Sequence, residues 1–468
     1  MLAQHLYFQL HRLIGSRVGN YYQEFFQLEH ASRDELQALQ AERLEGLLQR
    51  AVSVVPFYKE RISQKNDLTL SDFPILTKSQ IREHYDDLMT DELRSEYHAG
   101  TKTNKIYSWV EVKTGGSTGV PTSVIHDKEL RDRGRASRLY AQHLCGFPLG
   151  VPYFKLWGNM RDINNNKGSR YHRVASYLAK EHILNAFQMS ATAIDKHIDT
   201  INTAAPENMM AYADAAYEVA KYALRTGKHI KPLNSIMSCA STLSPHMRET
   251  MEQAFHARVH NKYGSRDCTD MACECEKGNL HIFSNHLVLE VVDENGDPLP
   301  HGRTGRILLT PLFNSSFPLI RYEIGDMGAL SDGACPCGRP FPLLDRLEGR
   351  TIEFLLNNAG DYVSPSIVTS LIGIAHNPGF IKRFQLVQTS LVDYEIAFEM
   401  EPGVPEMTRA EALFKIERDL KVVLGADSKI VMRDVDQIPA SSSGKFLYTV
   451  NNVKNLRRTG TISSGPSV

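Results

Sequence analysis

Long apolar runs are missing from this 468-residue chain. Without about 18 consecutive apolar residues, no transmembrane helix is expected. An excess of one charge is missing too, since 53 basic residues face 54 acidic ones. No net field then favours nucleic acid or an anionic membrane surface. The N-terminus has neither the basic start nor the small-residue cleavage site of a secretory signal, and His5, His11 and Arg12 interrupt its apolar residues. Residues 1–15 read instead as a packed amphipathic helix of a cytoplasmic protein. Cysteine is sparse and odd in number, with 7 residues at 145, 239, 268, 273, 275, 335 and 337. That argues against a disulfide framework in a large chain without a signal. Internal repeats and long low-complexity segments are also lacking.

The rest of the composition, 42% hydrophobic and 23% charged, is that of a globular protein long enough for two or more domains. Residues 32–50 read as a helix, with Ser32 and Glu35 in a capping-box pattern ahead of Leu36, Leu39, Leu44, Leu47 and Leu48. Residues 128–145 and 207–226 also read as helical. Ser244-Pro245 starts another helix, with Met247, Met251 and Phe255 on one face. A short strand leads into Tyr263, and strands at 287–293 and 306–310 flank an Asn295-Gly296 turn. The texture changes near residue 350, where strands at 383–389, 393–400 and 428–434 and a helix at 407–424 read as a small α+β module. The expected architecture is therefore a large N-terminal α/β domain over residues 1–348, a small C-terminal α+β domain over 349–455 and a disordered tail over 456–468.

Five segments carry candidate chemistry. Thr114-Gly115-Gly116-Ser117-Thr118-Gly119 is a loop whose glycines let backbone N–H groups approach phosphate oxygens, with Ser117 and Thr118 as extra donors. It is not a Walker loop, because Val120 and Pro121 follow the last glycine where Lys and Ser/Thr are needed. Cys239-Ala240-Ser241-Thr242-Leu243 places small residues after an apolar run. Tyr263-Gly264-Ser265-Arg266-Asp267 sets a carboxylate at a strand end. Arg321-Tyr322-Glu323-Ile324-Gly325-Asp326 is followed by Glu348-Gly349-Arg350, and Ile438–Lys445 is a Ser/Gly-rich loop presenting one lysine. Taken singly, each has a plainer use. Tyr263 suits a core, Asp267 a helix cap, Asp326 a turn and Lys445 a solvated loop.

Their joint order resembles the adenylate-forming superfamily of acyl- and aryl-CoA ligases, peptide-synthetase adenylation domains and luciferases. Residues 51–58 (AVSVVPFY), Leu156-Trp157-Gly158, Leu184-Asn185-Ala186-Phe187, 314–326 (NSSFPLIRYEIGD) and 335–350 (CPCGRPFPLLDRLEGR) resemble, more narrowly, its phenylacetate–CoA ligase branch and the CapK-type relatives in capsule-polysaccharide gene clusters. The resemblance covers residues 35–450. It implies ATP-dependent activation of a carboxylic acid, aryl or small acyl, as an acyl-adenylate, then transfer to coenzyme A as a thioester with AMP and pyrophosphate released. It implies that the Thr114–Gly119 loop holds the β- and γ-phosphates and that Asp267 holds Mg²⁺. Ala240, Ser241, Tyr263 and Gly264 would sandwich the adenine, Ser265 would belong to the same cofactor site, Asp326 would bind the ribose hydroxyls and Arg350 would brace the ribose. Lys445 would place its charge at the α-phosphate and the attacking carboxylate. The small domain would then reorient for the thiol step. Three positions depart from the pattern. Asp267 stands where glutamate is usual, Gly115 where serine is common, and Ile352, followed by Glu353, where the hinge is often Asp or Lys. Trp157, Phe187 and Tyr212 are candidate walls for the acid by position, although aromatics more often serve as plain core.

The cysteines cluster around one histidine. Cys275 and His281 are spaced C-x5-H, and Cys335-Pro336-Cys337 forms a C-x-C knuckle. Three thiolates and one imidazole make a closed structural zinc site, and in a reducing compartment clustered cysteines point to metal before disulfide. By resemblance to branch members with the same pattern, the zinc ligands are Cys275, His281, Cys335 and Cys337, with Cys273 and Cys268 as spares. The alternative is that these are small buried hydrophobes. Two other uses of the whole chain stay open. One is a ligase passing its acyl group to an amine or a carrier protein in polysaccharide or natural-product assembly. The other is a non-catalytic member of the fold. No nucleic acid or membrane partner is expected, and a homodimer is among the assemblies allowed.

Overall fold

The structure, a computed structural model, describes residues 2–63, 65–101, 108–113, 122–157, 170–186, 189–350, 354–358, 362–363, 368, 371–372, 380–438 and 447–453. For residues 170, 172, 349, 350 and 362 it describes the backbone alone. The chain divides into two compact units, the larger within residues 1–347 and the smaller running on from Glu348.

Thirteen strands belong to the larger unit: β1 (Val110–Lys113), β2 (Ser123–His126), β3 (Tyr153–Trp157), β4 (Glu181–Asn185), β5 (Asn208–Tyr212), β6 (Ser235–Cys239), β7 (Arg258–Ser265), β8 (Thr269–Glu274), β9 (Leu280–Ile282), β10 (Leu287–Val292), β11 (Gly305–Pro311), β12 (Tyr322–Ser331) and β13 (Leu343–Arg350). β1 and β2 form an antiparallel hairpin of their own. The other 11 join one sheet in the order β10-β11-β12-β13-β9-β8-β7-β6-β5-β3-β4. From β4 to β7 the pairing is parallel, and from β7 to β8 and β9 it turns antiparallel. The parallel strands are connected through helices, as parallel geometry requires.

Local signals explain many of these elements. Ser32 caps the Arg33–Val54 helix through the reciprocal bonds of a capping box with Glu35, as its sequence pattern indicates. Ser244 caps the Pro245–Phe255 helix by accepting from the Met247 N–H, and Met247, Met251 and Phe255 are all buried on its inner face. The Ala213–Thr226 helix ends at Gly227, whose φ of +69° is the left-handed conformation that glycine adopts without strain. That helix and the Ala191–Thr203 and Pro245–Phe255 helices share a buried cluster with β3, β5, β6 and β7. A second cluster gathers the Leu2–Leu13, Val18–Leu28 and Lys128–Leu144 helices with Met210, Met237 and Cys273 of the sheet.

One segment differs from its sequence reading. Residues 208–212 form strand β5, and the helix expected over 207–226 starts only at Ala213. Residues 208–211 are buried, between β3 and β6. A parallel strand covered on both faces shows no alternation, so its periodicity cannot be told from that of a buried helix.

The smaller unit holds the short hairpin β14 (Leu355–Leu356) and β15 (Tyr362–Val363), and a sheet of β16 (Ile381–Gln388), β17 (Asp393–Met400), β18 (Lys429–Asp434) and β19 (Thr449–Asn451). The sheet order is β18-β17-β16-β19. The Glu406–Leu424 helix buries Ala412, Ile416, Leu420 and Leu424, four residues apart, in one cluster with Phe384, Leu386, Ile396 and Phe398. The three strands and the helix read from the sequence are all present, and β19 is an addition. Residues 456–468 lie outside the described residues.

Candidate functional site

Because β3, β5, β6 and β7 run parallel and in register, their carboxyl ends share one edge of the sheet. Ligands of open α/β sheets bind at that edge. Trp157, Tyr212, Cys239 and Ser265 are the last residues of these four strands. Ala240 follows β6 with a φ of +73°, a conformation costly for a residue with a Cβ and found where surrounding structure imposes it. The next residue, Ser241, donates its hydroxyl to Asp214 on the helix after β5. Trp157 and Tyr212 lie against each other with ring centroids 4.4 Å apart.

The turn after β7 is tightly built. At Gly264 a Cβ would lie 2.6 Å from Asp270 Oδ1, so glycine is required for the close approach of β8. Ser265 Oγ accepts from the Cys268 N–H at 3.0 Å and closes the turn. Asp267 caps no helix. Its side chain is buried, and Tyr322 donates its hydroxyl to Asp267 Oδ2 at 2.5 Å. His126, at the end of β2, meets the Asp267 carbonyl through Nε2 at 2.9 Å. Tyr263 is buried in the main core.

The Arg321–Asp326 motif divides by role. Arg321 is buried with a φ of +50°, pairs with Glu290 at 3.2 Å and donates to the Gly296 carbonyl at 2.6 Å. Glu323 pairs with Arg306 at 3.1 Å. Tyr322 reaches Asp267. Asp326 is half-buried within β12, after Gly325 with a φ of +91°, and closes no turn. Asn314, at the start of the longer quoted stretch, donates to the Ile125 and Phe317 carbonyls at 2.7 and 2.6 Å and holds the end of β2 in place.

The structure thus brings Ala240, Ser241, Gly264, Ser265 and Asp267 to one edge and joins Asp267 to the Arg321–Asp326 motif. Other expected site residues fall elsewhere. Thr114, Gly115, Gly116, Ser117, Thr118 and Gly119 lie outside the described residues, between the paired ends Lys113 and Ser123 of the β1–β2 hairpin. Lys445, Ile352 and Phe187 also lie outside them, and Arg350 is described as backbone in β13. Sequence reasoning gave no role to Tyr322, Asp214 or His126. Tyr322 stood inside a quoted motif, but nothing local marks a partner 55 positions away.

Burial near the turn has a titration consequence. His126 and His286 are each pushed down to about 4 by burial, with Arg131 and Arg133 respectively adding to the effect. Both are neutral in the fold, whereas an exposed histidine binds its proton near pH 6.5. Between pH 6.5 and 4 the unfolded chain therefore takes up more protons, so stability present above that window is lost as pH falls through it. At pH 5 the loss is expected to be about 2 kcal/mol per histidine relative to pH 7.5. Urea midpoints at the two pH values would show it, and His126→Gln should flatten the dependence. An unchanged slope in that variant would refute the assignment.

A second cluster lies apart from this edge. The ligand atoms of Cys275, His281, Cys335 and Cys337 all fall within 4.8 Å of one another. Cys275 follows β8, His281 sits on β9 opposite Leu343 of β13, and the knuckle precedes β13. Cys275 Sγ and Cys335 Sγ are 3.6 Å apart, and Cys337 Sγ is 3.3 Å from His281 Nε2. A tetrahedral zinc with sulfur at about 2.3 Å has ligand–ligand edges of about 3.5–3.8 Å, and these two edges are close to that length. His281 Nδ1 faces the Phe341 carbonyl at 3.3 Å, which orients Nε2 toward the cluster. Burial pushes His281 down to about 4, leaving it neutral as a ligand must be. The spare candidates stand elsewhere, because Cys268 belongs to the main core and Cys273 pairs with Cys145 in a separate apolar cluster.

Comparison with known proteins agrees with this architecture. Residues 355–452 match the family model described as the CapK C-terminal domain. Protein CapK of Staphylococcus aureus is 24% identical over 451 residues, covering 93% of this chain and 93% of that protein. The phenylacetate–coenzyme A ligase of Thermus thermophilus is 25% identical over 455 residues, covering 90% and 97%. A crystal structure of 2-hydroxyisobutyryl-CoA ligase in the postadenylation state superposes with a TM-score of 0.66 at 16% identity, covering 92% and 93%. No helix among the described residues is long and apolar enough to cross a membrane. The chain is a homologue of CapK and the phenylacetate–CoA ligases, built on the adenylate-forming ligase fold.

Proposed function

We propose that this chain activates a carboxylic acid with ATP as an acyl-adenylate and then transfers the acyl group to coenzyme A. The observation that carries the proposal is the gathering of Ala240, Ser241, Gly264, Ser265 and Asp267 on the carboxyl edge of β6 and β7 in a chain with ligase relatives along its length. Activation is needed because a carboxylate has no good leaving group. A carboxylate oxygen bonds to the α-phosphorus of ATP and pyrophosphate departs. The thiolate sulfur of coenzyme A then bonds to the acyl carbon and AMP departs. Both steps bring anions together, so positioning and positive charge carry the catalysis.

In this reading Ala240, Ser241 and Gly264 line the adenine site with Ser265 beside them, Tyr263 backs it from the core, Asp326 receives the ribose hydroxyls and Arg350 braces them. The hydrogen bond between Ser241 and Asp214 fixes one side of that site. Asp267 is the oxygen donor for Mg²⁺, and the Tyr322 hydroxyl orients its carboxylate. When bound, the ion offsets phosphate charge. Thr114–Gly119 and Lys445 hold the phosphates and the reacting carboxylate. The domain division at residues 348–349 separates most of the nucleotide-binding residues from the part bearing Arg350 and Lys445. Cys275, His281, Cys335 and Cys337 hold a structural zinc, closed by four protein ligands.

The test is acid-dependent ATP–pyrophosphate exchange against aryl, short acyl and amino acids without coenzyme A. Exchange with one acid class, followed by a thioester once coenzyme A is added, is the expected result. Exchange that leads to an amide with an added amine and to no thioester would replace the acceptor. A chain that neither exchanges nor binds ATP would be a non-catalytic member of the fold.

A further inference from the structure

The Lys128–Leu144 helix is buried almost all round, and from Asp132 to Gln142 only Arg135 and Arg138 keep appreciable surface. They occupy the open side of a helix covered on its other faces. Arg138 keeps 53% of its side-chain surface open. Arg131, Arg135 and Arg138 follow one another at i, i+4 and i+7, so they form a single stripe. That stripe runs beside the candidate site. On an adjacent face of the helix a Cβ at Gly134 would lie 2.5 Å from Thr269 Cγ2, which sets the helix directly against the turn joining β7 and β8.

Arg138 uses little of its guanidinium to hold the fold. Its Nε meets Asp270 Oδ2 at 3.3 Å, and Asp270 is its partner among the described residues. Asp270 already has a buried ion pair with Lys262. Two cations thus share one carboxylate, and the surplus charge is the one with open surface. Asp270 also lies where a Gly264 Cβ would be, so the guanidinium stands one side chain away from the Gly264–Asp267 turn. A planar guanidinium that commits its Nε to Asp270 keeps two terminal nitrogens for bidentate binding of a carboxylate.

We propose that Arg138 binds a second carboxylate on the acid substrate, so that the acid this chain activates is a dicarboxylic acid. The inference rests on the adenylating reading for the first carboxylate, and it narrows the small-acyl class to a doubly anionic one. Lys262 keeps Asp270 paired when Arg138 is replaced, so Arg138→Met leaves no buried charge alone.

The experiment compares acids matched in length, glutarate with valerate and adipate with hexanoate, in ATP–pyrophosphate exchange. Thermal protection of the protein by each acid alone is measured in parallel. In the wild type the dicarboxylates should be favoured by about 10–100-fold in kcat/KM, the range of a charge-assisted hydrogen-bond pair. Arg138→Met should erase the preference and Arg138→Lys restore part of it, with melting curves checking the fold. A wild type that prefers the monocarboxylates overturns the proposal, and so does an Arg138→Met variant that loses both acids equally. Dicarboxylate protection that Arg138→Met removes, without exchange by any acid, supports Arg138 as an anion site and counts against adenylation. No preference in exchange and no protection together overturn the assignment to Arg138.

Discussion

Replacing Lys445 with alanine should lower acid-dependent pyrophosphate exchange by about 10²–10³-fold, the usual effect of losing one group aimed at charge that builds in a transition state. Thioester formation from a supplied acyl-adenylate and coenzyme A should fall far less. The asymmetry follows from the chemistry. The first half-reaction drives a carboxylate against a triphosphate, so a point charge between them matters most there. In the second, a thiolate attacks an acyl carbon whose leaving group is already good. Lys445 is carried by the 438–447 segment of the smaller unit, between β18 and β19, whose described ends Ile438 and Leu447 are anchored to Glu399 and Gln385. Single-turnover measurement of each half-reaction separates the two effects. Equal losses in both would remove Lys445 from its assigned role. Unchanged exchange would remove the adenylating reading of the whole segment.

Loss of the proposed zinc from the cysteine–histidine cluster is expected to be the largest effect on stability. Protein purified without chelator is expected to contain about one zinc per chain, the content of a closed four-ligand site. Cys275→Ser or His281→Ala should release the ion and lower the melting temperature of the larger unit by about 5–10 °C. The cluster ties the end of β8, strand β9 and the segment before β13, which lie next to one another in the sheet. Burial pushes the Cys275 thiol up to about 12, and a bound cation would favour its thiolate. Loss of the ion leaves buried polar groups without that partner. Cys273→Ser is the control, because Cys273 faces Cys145 in another apolar cluster and should leave the zinc content unchanged. Metal analysis with thermal melts decides the matter. A metal-free native protein that melts like its cluster variants would show four merely buried side chains.

Much of the architecture is local and was open to reading from the sequence alone. The capping box at Ser32 and Glu35, the Ser244-Pro245 start with its Met247, Met251 and Phe255 face, and the hairpin around Asn295-Gly296 each depend on residues a few positions apart. Period and cap chemistry determine such elements wherever they lie in the fold. The α+β pattern after residue 350 was legible for the same reason. The order of the motifs along the chain also named the candidate site residues, through the family resemblance it carries.

Tertiary structure decided what composition cannot express. Strand β5 reads locally as helix, and becomes a strand because β3 and β6 lie on either side of it. Asp267 acquires Tyr322, Ser241 acquires Asp214, and Arg138 acquires Asp270. Three of the seven cysteines and His281 form one cluster, while Cys268 and Cys273 do not, because Cys268 lies in the turn before β8 and Cys273 packs against Cys145. Residue types and their order determined which chemistry the chain can carry. Long-range pairing decided which groups meet, because hydrogen-bond and ion-pair partners far apart in sequence leave no periodic trace in it.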